Sequence, residues 1–116
     1  MTVFDRIYDT LISLGLPVFL QGSLGENEPY PEKFITYWIS DSEDESHYDD
    51  RVHTVIWYAT IIFYSRDMLE IADFSKQIRN LLEEAGFIPQ GKGNLIPSDE
   101  PGWVGYGVDF VYVEVQ

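Results

Sequence analysis

Residues 41–50, DSEDESHYDD, place six carboxylates in ten positions around His47. Clustered carboxylate oxygens are the donors that hard cations prefer. Asp41, Glu43 and Glu45 alternate as loop ligands do, but no glycine follows where an EF-hand loop must turn. Like charges repel and gain nothing from burial, so the block is expected to be a solvated loop or hairpin tip. Asp41, Glu43, Asp44, Glu45, Asp49 and Asp50 are its acidic-loop candidates, with no metal assigned to them. His53, the other histidine, opens an apolar run and is expected at a surface or edge. Asp109 is the one acid at a central strand position. Glycoside hydrolysis needs two carboxylates facing across a cleft, and Asp109 is instead expected to pair with Arg51 or Arg66, to face water or to sit at an interface. Without cysteine there is no disulfide, thiolate metal site or cysteine nucleophile. The serines lack a nucleophile elbow, and Gly22, Gly25, Gly91 and Gly93 lack the spacing of a phosphate cradle. No catalytic residue and no cofactor is expected.

Aromatic rings are the more telling chemistry. Phe, Trp and Tyr make up 16% of the chain, more than one face of a thin core can hide. Large rings with a polar tip are favoured at protein interfaces. Tyr37, Tyr58, Tyr64, Tyr106 and Tyr112 are therefore the interface candidates, and self-association or docking is the expected use.

The elements that must position these residues follow from hydrophobic period. Val3, Phe4, Ile7, Tyr8, Leu11 and Leu14 recur at spacings of three and four, which predicts a helix over 3–14 capped by Thr2 and stopped by Gly15 and Pro17. Residues 18–20 read as a short strand and 22–32 as a loop. Phe34 to Ser40 is dense in aromatic and β-branched residues and predicts a strand. Arg51 to Ser65 gives the strongest strand signal. One of its faces, Val55, Trp57, Ala59, Ile61 and Phe63, is wholly apolar, and the other mixes bulk with hydroxyls. A half-solvated strand has a polar outer face, so the second face is expected to meet an internal layer or a neighbouring subunit. Ile71, Phe74, Ile78, Leu82 and Ala85 trace a helical stripe over 67–85, with Asp67 as cap and Gly86 as terminator. Residues 89–102 are turn-rich, and 103–116 read as a last strand in which Gly105 and Gly107 leave a flat patch. The expected core is Phe4, Ile7, Leu11, Val55, Trp57, Ile61, Phe63, Ile71, Ile78, Leu82, Val108 and Phe110. The order α-β-β-β-α-β implies a single α+β domain over 1–116. Its mostly antiparallel sheet of about four strands packs against two helices, and long loops project from it.

Size and charge bound the rest. The 116 residues amount to one domain, and a net charge of −13 disfavours nucleic acid and anionic membrane alike. No apolar run approaches the length of a membrane span, and no signal-peptide pattern opens the chain, so a cytoplasmic protein is expected.

The sequence resembles the small tail terminator, or tail completion, proteins of long-tailed bacteriophages and prophages. The likeness spans nearly the whole chain: LGLPVF at 14–19, EPYPEKFITYWIS at 28–40, VHTVIWYATIIFYSRD at 52–67, IADFSKQIRNLLEEAGF at 71–87 and WVGYGVDFVYVEV at 103–115. It rests on element order and texture, not on one diagnostic motif. The resemblance implies an α+β subunit without enzymatic activity that assembles as a hexameric ring; a subunit that forms the ring only after meeting its tail would be a monomer in isolation. The ring would cap the tail tube and meet the head connector, first in the host cytoplasm and then in the virion tail. The 41–50 block is then the candidate lining of the lumen. Two other functions fit the composition: an acidic mimic of DNA that blocks a nucleic-acid enzyme, and a small aromatic-rich carbohydrate-binding module.

Overall fold

A computed structural model describes residues 2–20, 33–46, 53–97 and 102–115. In chain order these form α1 (Val3–Leu11), a 3-10 turn (Ile12–Leu14), β1 (Val18–Leu20), β2 (Lys33–Ser46), β3 (His53–Ser65), α2 (Met68–Glu84), β4 (Ile88–Pro97) and β5 (Val104–Val115). The strands make one five-stranded sheet in the order β1-β2-β3-β5-β4. Only β1 pairs in parallel, with β2; every other pair is antiparallel. The α+β architecture with two helices thus matches the sequence reading, with five strands rather than about four.

Local chemistry accounts for the helix ends. Thr2 Oγ1 accepts the Asp5 N–H at 3.1 Å, and Asp5 Oδ2 accepts the Thr2 N–H at 3.2 Å, a capping box that satisfies two donors at once. The Asp67 carboxylate accepts the Leu69 N–H at 2.9 Å and starts α2. Gly86, at φ +101, ends it in a conformation that costs other residues more.

Both helices pack on one side of the sheet. Val3, Ile7 and Leu11 from α1 and Ile71, Ile78 and Leu82 from α2 meet Ile35, Tyr37, Ala59, Ile61, Phe63, Val108 and Phe110. This buries the apolar face of β3 from Ala59 to Phe63, as its pattern predicts. Three expected core residues differ. Phe4 lies on the outer side of α1 and is exposed together with Tyr8 and Ile12, one helical turn apart each. Val55 and Trp57 are only half-buried. They lie on the stretch of β3 that pairs with residues 42–44 and 112–114, at the edge of the helix-covered core.

Two expected loops are strands. β2 continues through the acidic block to Ser46, which pairs with His53, so Asp41, Glu43, Asp44 and Glu45 are strand positions and not loop positions. The reason is the backbone: a cross-strand ladder with 53–58 satisfies every second N–H and C=O whatever the side-chain charge. His47, Asp49 and Asp50 lie outside the described residues. The turn-rich 89–102 segment likewise holds β4, whose residues 88–90 and 94–97 pair with β5. β4 is an edge strand, where proline is tolerated because one side needs no donor, and its irregularity at 90–94 absorbs Gly91 and Gly93.

Candidate functional site

The far side of the sheet carries no helix among the described residues. Alternation puts Phe34, Thr36 and Trp38 of β2 on it, then Ile56, Tyr58, Thr60, Ile62 and Tyr64 of β3. Gly105, Gly107, Asp109, Val111 and Val113 of β5 complete it. The sheet thus presents a broad second face, as expected from the apolar bulk on both sides of β3.

At one end this face closes on itself. The Phe34 ring stacks on Tyr64, with centroids 4.9 Å apart, and meets Phe19 of β1 edge-on at 6.1 Å. Phe34, Thr36 and Ile62 are 2%, 7% and 3% exposed, so this part is covered within the chain. The expected flat patch at Gly105 and Gly107 is filled from inside. A Cβ on Gly105 would lie 2.8 Å from Tyr64 Cε1, and one on Gly107 would lie 2.5 Å from Ile96 Cδ1. Thr36 Oγ1 is buried here without a hydrogen-bond partner.

The other end is open. Ile56, Tyr58 and Val111 are half-buried, and Val113 is 43% exposed. Val111 still pairs with Ile88 at the start of β4, and beyond it β2, β3 and β5 run together without β1 or β4. The irregularity between Ile39 and Asp41 sets what borders it. A bulge of one residue exchanges the two faces of a strand. Beyond it, Asp41, Glu43 and Glu45 stand in register with Tyr58, Ile56 and Thr54, all positions of the second face, and Asp44 stands opposite Val55. The bulge therefore brings three of the block's acids into the rows of the open aromatic end.

The five tyrosines proposed from sequence do not gather in one place. Tyr58 and Tyr64 share the second face, Tyr58 at its open end and Tyr64 in its closed one. Tyr37 is a core residue beneath the helices, 7% exposed, at odds with an interface role. Burial pushes its phenol above the usual value of 10.0, with Tyr8 and Asp5 adding to the rise. Tyr106 and Tyr112 are on the helix side, where Tyr106 donates its hydroxyl to the Lys92 carbonyl and the Tyr112 ring packs tilted against Phe87, centroids 4.7 Å apart, beneath the Arg6 guanidinium. Asp109 accepts from Thr60 Oγ1 at 2.8 Å, while Arg66, an expected partner, lies over the Trp103 ring at 4.6 Å and Arg51, the other, lies outside the described residues. The sequence reading missed a second apolar strip, Phe4, Tyr8 and Ile12 on α1, because it counted Phe4 into the core and Tyr8 into the same helical period. Separating the a/d-type spacing Val3, Ile7, Leu11 from its neighbour one residue on would have found it.

No family model matches the chain, and no curated protein matches it. No helix among the described residues is long and apolar enough to cross a membrane.

Proposed function

We propose that this chain is a non-enzymatic structural subunit that self-associates, and that it serves as a tail terminator of a long-tailed phage or prophage. In that role a ring of copies caps the tail tube and receives the head connector. The open end of the second sheet face carries the reading: Ile56, Tyr58, Val111 and exposed Val113 form apolar surface on the one side of the sheet that neither helix covers. An apolar sheet face bordered by charge is the anatomy of a protein interface. Sequence texture over nearly the whole length supports the phage assignment.

Mass measured across a concentration series, alone and with purified tail tubes, tests it. The chain is expected to form closed oligomers with tubes, and to hold tube length constant. Val113→Asp puts a charge at an exposed position, so the monomer still folds while assembly fails. A chain that stays single beside tail tubes, with tube length unaffected, refutes the reading. Tight, salt-sensitive binding to a basic nuclease by that single chain would favour the DNA-mimic function instead.

A further inference from the structure

Three of the seven basic residues of this acidic chain meet at one place. A cavity of about 280 Å³ opens between α2 and the β4–β5 pair. Lys76, Arg79 and Lys92 line it over an apolar lining of Ile71, Tyr106 and Val108, and no carboxylate is among its lining residues. Arg79 Nε donates to Glu83 Oε1 at 3.2 Å, one turn along the same helix. Among the described residues, Lys76 and Lys92 have no carboxylate within ion-pairing distance. Lys92 is held at the cavity by the backbone. Gly91 and Gly93 flank it at φ +84, and its carbonyl accepts the Tyr106 hydroxyl. The concentration of positive charge is therefore built into the β4 irregularity.

The chain's densest negative segment is strand-borne. Residues 41–46 hold four carboxylates in six positions and hydrogen-bond to β3. β1 pairs with β2 only at Ile35–Tyr37, so among the described residues the outer edge of 41–46 is unpaired. Charge on an unpaired edge deters indiscriminate strand pairing but leaves room for a chosen partner. Within one chain the acidic strand and the cavity do not meet: β3 and β5 stand between β2 and β4, a lateral distance of about 14 Å at the usual strand spacing.

From this complementarity we infer that the cavity beside Lys76, Arg79 and Lys92 receives the acidic strand 41–46 of a second copy of this chain. The contact is heterologous, one surface against a different one. Repeated around an axis, such contacts close into rings. The inference rests on the self-association proposed above and supplies its charged contact. Opposite potentials also set the order of docking and hold the rate of encounter sensitive to salt.

Zero-length carbodiimide coupling tests it, since the reagent joins a lysine amine only to a carboxylate already touching it. Copies labelled with heavy nitrogen are mixed with unlabelled ones, so links between copies are told from links within one. Links from Lys76 or Lys92 of one copy to Asp41, Glu43, Asp44 or Glu45 of another are expected. The double variant Lys76→Glu with Lys92→Glu is expected to weaken association by about 10- to 100-fold at low salt, as attraction turns to repulsion. Mixing it with Asp44→Lys plus Glu45→Lys is expected to restore the association that is weakened in either variant alone. Both lysines are exposed, so the urea midpoint of the cleft variant should match that of the parent. Association that persists unchanged in the cleft variant overturns this inference and leaves the ring reading standing. No association of the parent chain, alone or with tail tubes, overturns both. Links from Lys76 or Lys92 to a tail protein and not to residues 41–45 assign the cleft to that partner and overturn the inference.

Discussion

Gly91 and Gly93 share a φ of +84 but not a neighbourhood, and alanine at each position should therefore cost different amounts. A Cβ on Gly91 meets nothing within 4 Å. Its cost is the left-handed backbone alone, about 1–2 kcal/mol, partly offset by about 0.4–1 kcal/mol from a stiffer unfolded chain. The net loss is about 1 kcal/mol. A Cβ on Gly93 would lie 2.6 Å from the Gly107 carbonyl oxygen, 2.7 Å from Val108 Cγ2 and 2.8 Å from Tyr106 Cε1. The first of these is backbone in a central ladder and has nowhere to go. Overpacking adds about 1–3 kcal/mol, which brings Gly93→Ala to about 2–4 kcal/mol. Urea unfolding followed by the fluorescence of the three tryptophans reads both variants. Gly93→Ala is expected at the lower midpoint with an unchanged slope, and melting about 4 °C lower for each kcal/mol of difference. Equal losses in the two variants would refute the reasoning, because they would mean that the bulged strand does not press on β5. Since the Gly93 contact fixes Lys92 at the basic cleft, the same variant should also weaken cross-linking from Lys92 between copies.

Three other outcomes follow from buried or capped groups. Thr36→Val removes a buried hydroxyl that has no partner while keeping its shape, so stability should stay constant or rise by up to about 1 kcal/mol; a clear loss in urea unfolding would show that the hydroxyl is satisfied. The Thr2 backbone N–H, and after it the Thr2 hydroxyl, hold the Asp5 carboxyl below its ordinary 3.8. Its lowered value means the folded chain sheds the proton more readily than the unfolded one, so the support is present above 3.8 and is lost as pH falls through the folded value. A carboxyl-carbon NMR titration should place the midpoint below 3.8 and move it back toward 3.8 in Thr2→Ala. Tyr37 is raised above 10.0, chiefly by burial, so its contribution is present below 10.0 and is lost as pH rises through the folded value. In an alkaline titration Tyr37 should ionise above 10.0; ionisation at or below that value would mean that the ring is not buried.

Much of the fold was legible because local signals agreed with one another. Thr2 and Asp67 cap the helices at the positions their spacing indicated, and Gly86 ends the second. The run from Ala59 to Phe63 alternates apolar residues and lies buried on its helix-facing side. The errors came where backbone pairing overrode side-chain character. Six acids in ten positions read as a loop, yet 41–46 pair with β3, since the ladder is made by main-chain groups that carry no record of the charges. Pro89, Gly91 and Gly93 read as turns, yet on an edge strand they are accommodated by a missing donor and a bulge. The interface candidates scattered for a similar reason. Strand parity assigns a tyrosine to one side or the other, but only the layer that lands on that side decides whether it is covered. Tyr37 and Tyr58 are equally aromatic, and the two helices cover the first and not the second.

By itself the sequence determined the helices, their caps, the central strand and an excess of apolar surface, because each depends on residues within a few positions of one another. It also determined the strong negative charge. Only the tertiary structure decided which side of the sheet both helices occupy and that a bulge after Ile39 moves Asp41, Glu43 and Glu45 into the rows of the open face. It alone gathered Lys76 and Arg79 of α2 and Lys92 of β4, the next strand, into one cleft. These features depend on how separate elements pair and pack, and no local pattern records which surfaces the fold will bring together.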